Sequence, residues 1–78
     1  MALIKKGHMQ QLDKDRIHIH KTTEATYSVF LENGEKFFQI DTYGSEGRQL
    51  KDKVSQSVQF DKESALELVG ILIKEFML

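Results

Sequence analysis

Three cations, Arg48, Lys51 and Lys53, follow Tyr43 within a short stretch that also holds Gly44 and Gly47. Cations beside aromatic rings suit the capture of single-stranded nucleic acid. Charge draws in phosphates without regard to sequence, and ring faces stack bases at roughly 1–3 kcal/mol each. Phe37 and Tyr43 offer the faces, while Gln39 and Gln56, with Ser55, Ser57 and Gln59, offer neutral hydrogen-bonding groups. The two glycines let the intervening loop bend or bring its backbone close to a ligand. The candidate nucleic-acid-binding set is therefore Phe37, Gln39, Tyr43, Arg48, Lys51, Lys53 and Gln56.

Other chemistries find less to work with. His18 and His20 stand two apart and could share a metal, but zinc takes three or four ligands and no third is placed. Ser45, Ser55, Asp41 and a histidine compose a triad on paper only, without a nucleophile elbow. Gly44-x-x-Gly47 lacks the strand-to-helix setting of a phosphate loop. His8 lies in a Gly-His-Met run of the kind a cloning junction leaves and is given no role. The expectation is a binding protein, not an enzyme, with no cofactor and no metal.

These residues need elements to hold them. Arg16 to Lys21 alternates Ile17 and Ile19 with Arg16, His18 and His20, the period of a half-buried first strand. Thr26 to Glu32 sets Tyr27, Val29 and Leu31 against Ser28, Phe30 and Glu32, a second strand. Asn33-Gly34 follows at once and favours the positive φ angles of a two-residue hairpin. The third strand, Lys36 to Tyr43, sets Phe38 and Ile40 against Phe37, Gln39 and Tyr43, and the fourth runs from Ser55 to Phe60. The apolar period then lengthens from two to about 3.6, with Asp61 as N-cap and Glu63 in the first turn, which reads as a helix to the end of the chain.

The chain has 78 residues, 40% of them hydrophobic and 29% charged, with no cysteine. That bounds it to one globular domain with a thin core, without disulfides or thiolate metal sites. No stretch reaches membrane-spanning length, and the apolar run before Lys5 is too short for a signal peptide, so a cytoplasmic, membrane-free protein is expected. The net charge of −1 conceals a pattern. Residues 1–21 hold five cations against two anions, residues 22–47 one against five, and residues 48–60 three against one. Positive charge gathers in the N-terminal arm and in the candidate loop.

The helix is greasy on more than one side. Ala65, Leu68, Val69, Leu72 and Phe76 can cover a sheet, while Leu66, Ile73 and Met77 spill round to a second surface. At about 0.8 kcal/mol per buried CH₂, covering those three would stabilise an association by several kcal/mol. A homodimer is expected, with Leu66, Ile73 and Met77 at its interface. The alternative is that the apolar N-terminal segment folds back over them.

The order β-β-β-β-α resembles the single-stranded-DNA-binding domain of the transcriptional coactivator family named positive cofactor four. The resemblance spans residues 15–77 and is one of layout: "KFFQIDTY" as the aromatic third strand, "GSEGRQLKDKVSQ" as the basic loop and "SVQFDKESALELV" where the last strand enters the helix. This chain departs from that family in lacking a tryptophan or Gly-Lys-Gly signature before the last strand and in carrying Asp41 on the third. The resemblance implies an α+β fold: a curved four-stranded antiparallel sheet, a C-terminal helix that pairs two copies, and grooves for single-stranded DNA. The expected arrangement is an N-terminal arm over 1–14, free to be flexible, and one domain over 15–78. The expected function is single-stranded nucleic-acid binding in transcription, replication or repair. The rival is a dimeric protein-interaction or regulatory module, such as an adaptor, inhibitor or accessory subunit.

Overall fold

The structure, a computed structural model, describes residues 1–44 and 53–78. Its elements are β1 (Ala2–Ile4), β2 (Ala25–Glu32), β3 (Glu35–Tyr43), β4 (Val54–Phe60) and α1 (Lys62–Phe76). An α+β layout of four strands and one C-terminal helix is thus present.

The hairpin forms where its turn chemistry puts it. Asn33 and Gly34 take φ of 53° and 79°, which short polar or Cβ-free residues tolerate, and β2 pairs antiparallel with β3 from Ala25–Thr42 to Glu32–Glu35. A two-residue turn forces that register. β3 pairs antiparallel with β4, with a register shift at Thr42/Tyr43.

Two expectations are corrected. Residues 16–21 form no strand, and the sheet is mixed rather than antiparallel, in the order β1-β4-β3-β2. The free edge of β4 is taken instead by Ala2–Ile4, running parallel to it. A three-residue strand has too few positions to show a period. It is held from its end, where the Lys5 ammonium lies 2.8 Å from the Asp61 carboxylate.

α1 begins as its sequence directs. Ser64 donates its backbone N–H to Asp61 Oδ1 at 2.9 Å, and Ser64 Oγ accepts the Asp61 N–H at 3.0 Å, a reciprocal capping box that satisfies two otherwise orphaned donors. The helix lies beside β3 and β4. Ala65 and Leu68 are half-buried, but every residue from Val69 to the C-terminus is exposed. Val69, Leu72 and Phe76, expected against the sheet, therefore overhang it. The C-terminal half of α1 is left uncovered.

The pairing register sorts side chains into two faces. One carries Ile4, Tyr27, Val29, Leu31, Phe38, Ile40, Val58 and Phe60; the other carries Phe30, Phe37, Gln39, Asp41, Tyr43, Ser57 and Gln59. On the apolar face Phe60 is 6% exposed, whereas Val29 on the outer strand is 54% exposed. Burial there stops short of β2.

Candidate functional site

Three strands build the polar face into a ladder. At one end Phe30 and Phe37, directly opposite one another across β2 and β3, stack with ring centroids 5.5 Å apart and planes 18° from parallel. Next, Gln59 donates its amide to Gln39 Oε1 at 2.7 Å, and Gln39 donates to Asp41 Oδ1 at 2.9 Å. Ser57 Oγ also donates to Asp41 Oδ1. At the far end the Tyr43 hydroxyl shares a hydrogen bond of 2.9 Å with Thr26 Oγ1.

The hub of this ladder is a carboxylate. Hydrogen bonds from Ser57 and then Gln39 favour its charged form and hold the Asp41 carboxyl below its ordinary 3.8, against a smaller opposing effect of burial. Asp41 is therefore an anion at neutral pH. The other charges on the described strands of this face are Glu32 and Glu35, and Lys36 points to the opposite face. The face repels phosphate at its centre.

The sequence-derived set is brought together only in part. Phe37, Gln39 and Tyr43 share the polar face, but Gln56 pairs with Thr42 and faces the other way, with Val58 and Phe60, as the two-residue period of β4 requires. Tyr43 does not offer an open stacking face; it is 9% exposed, with its hydroxyl satisfied by Thr26. Gln39 has its carbonyl and one amide hydrogen committed to Gln59 and Asp41. Phe37 has Phe30 against one ring face. Lys53 is exposed immediately before β4, and Arg48 and Lys51 lie outside the described residues. Of the helix residues assigned to an interface, Leu66, Ile73 and Met77 are all exposed.

Sequence reasoning missed Phe30 and the central place of Asp41. The signal was present for Phe30, since a two-residue turn at Asn33-Gly34 already places it opposite Phe37. His18 and His20 lie in the unpaired stretch before β2, and among the described residues no three metal-ligating side chains gather. Among the described residues no helix is long and apolar enough to cross a membrane.

A second candidate surface is apolar. It comprises the outer part of the apolar face at Tyr27, Val29 and Leu31 and the overhanging helix with Leu66, Val69, Leu72, Ile73 and Phe76, all exposed. Among the described residues only Tyr43 and Phe60 are buried hydrophobics. The Cα radius of gyration is 14.5 Å, against about 11.5 Å for a compact domain of this length.

In comparisons with protein-family models, curated proteins and solved structures, nothing matches this chain.

Proposed function

We propose that the chain is a homodimeric protein-interaction module that completes its hydrophobic core by association. The observation that carries this reading is that the apolar side chains of α1 from Val69 onward and those of β2 at Tyr27, Val29 and Leu31 are left exposed. Large exposed apolar patches mark interaction surfaces, and each Val, Leu, Ile or Phe removed from water contributes roughly 1.5–3 kcal/mol. Leu66, Ile73 and Met77 are the contacts proposed for a second copy. A small domain whose own burial is so incomplete gains most of its stability from that partner. Replacing Leu66 and Ile73 with Gln tests this. The double variant should dissociate and lose cooperative unfolding, and a variant that keeps wild-type stability at every concentration would refute it.

A second reading is single-stranded nucleic-acid binding, with a role in transcription, replication or repair. It is favoured by the Phe30–Phe37 stack on the sheet face that also carries the Gln39 and Gln59 amides. Arg48, Lys51 and Lys53 would supply phosphate contacts at its margin. The ionised Asp41 weighs against it. Fluorescence polarisation with a labelled oligonucleotide decides: binding at low salt that weakens steeply as salt is raised supports this reading, and no binding at low salt removes it.

A further inference from the structure

We propose that residues 16–21 add as a strand to the free edge of β2 in a second copy, each copy giving its segment to the other. This rests on the chain working as a pair of copies, and it adds an interface separate from the helix.

β2 is an outer strand with one neighbour, β3. Edge strands are ordinarily blunted by lysines, prolines, bulges or very short length, because their unpaired N–H and C=O groups recruit other strands. β2 has none of these. It is eight residues long, pairs with β3 without interruption, and has Glu32 as its one charged residue.

The occupant is supplied by the chain. Residues 16–21 have the alternation of a strand but no strand partner among the described residues, and Ile17 and Ile19 are 71% and 100% exposed. The segment is kept from folding back onto its own β2. Thr23 Oγ1 donates to the Tyr43 carbonyl, and the Tyr43 N–H donates to the Glu24 carbonyl at 3.3 Å, so the chain is already tied to the end of β3 at these positions. Only Thr22 then separates Lys21 from that anchor. From Arg16 to Glu32 there is no glycine, asparagine, aspartate or proline to make a tight turn. Strand exchange needs residues 16–21 to continue past the end of β2 rather than turn back along it, and the tie at Thr23 and Glu24 together with the lack of a turn residue favours that course.

Charge and pattern select a register. An antiparallel pairing about a two-fold axis at Thr23 places Ile19 opposite Tyr27 and Ile17 opposite Val29 of the second copy. Both isoleucines then join the uncovered apolar face, because odd positions meet odd positions. The same register sets Lys14 opposite Glu32 and puts Glu24 opposite Thr22, so no like charges face each other.

The chain has no cysteine, which makes the test clean. In the Ile19→Cys/Tyr27→Cys variant, mild oxidation of the full chain should give a covalent dimer on non-reducing gels that neither single variant gives in comparable yield. A disulfide closed within one chain, or none above the single variants, overturns the proposal. Ile19→Asp supplies an independent reading that does not depend on disulfide geometry. Its side chain is wholly exposed in the isolated chain, so a free segment would tolerate it, whereas strand exchange predicts at least a tenfold weaker dimer by sedimentation equilibrium. A dimer unaffected by Ile19→Asp removes the exchanged strand and leaves a helix-mediated dimer standing; a monomeric wild type removes both.

Discussion

The Lys5 ammonium and the Asp61 carboxylate meet at 2.8 Å, joining the end of β1 to the N-cap of α1. The same carboxylate accepts the Ser64 N–H. One side chain therefore holds both the N-terminal strand and the start of the helix.

Its titration should be visible in stability. The Lys5 hydrogen bond, then the Ser64 backbone hydrogen bond, depress the Asp61 carboxyl from its usual 3.8 to about 2. The unfolded chain takes up this proton near pH 4 and the folded chain only near 2, so the stabilisation is complete above pH 4 and is lost as pH falls through that window. Urea midpoints measured from pH 5 down to 2 should fall less steeply for Asp61→Asn than for the wild type. Equal slopes would mean that the pairing is absent in solution.

Ser64 is fully buried and closes the capping box from the other side. Ser64→Ala leaves the Asp61 N–H without its partner and should cost roughly 1–2 kcal/mol by chemical denaturation. Ser64→Thr keeps the hydroxyl, though its added methyl must find room in a fully buried position. A cost below a few tenths of a kcal/mol for the alanine variant would show that the cap is not formed.

Tyr43 belongs to the fold, so its removal should read out as lost stability. Tyr43→Phe should cost about 1 kcal/mol through the orphaned Thr26 hydroxyl, and Tyr43→Ala roughly 3–5 kcal/mol through the cavity left behind. Thermal melts of the two variants check the order. An alanine variant as stable as the wild type would return Tyr43 to the surface.

The helix and the hairpin were legible because each carries local chemistry: Asp61 at an N-cap before a 3.6-residue period, and Asn33-Gly34 where two positive φ angles are needed. β1 was not legible, because its three residues are placed by a parallel partner in β4 and by Lys5 reaching Asp61, both distant in sequence. Ile17 and Ile19 show the opposite case, a strand pattern with no strand partner among the described residues. The burial of Tyr43 and the pairing of its hydroxyl with Thr26 are tertiary features that periodicity does not encode.

If the exposed face of α1 joins two copies, a charge there should separate them. Ile73→Glu would bury an unpaired carboxylate at the contact and should weaken association by at least tenfold, while Glu75→Gln, a control on the same helix, should leave it unchanged. The wild-type thermal midpoint should also rise with protein concentration, as unfolding coupled to dissociation requires. A midpoint independent of concentration would contradict a dimer that dissociates on unfolding.

The most direct measurement is the mass of the folded chain in solution, by sedimentation equilibrium across micromolar concentrations at neutral pH. Completion of the core by a second copy predicts a mass about twice the 9.0 kDa of the chain, falling toward it only on dilution. A folded, cooperatively unfolding species of 9.0 kDa at every concentration would contradict it.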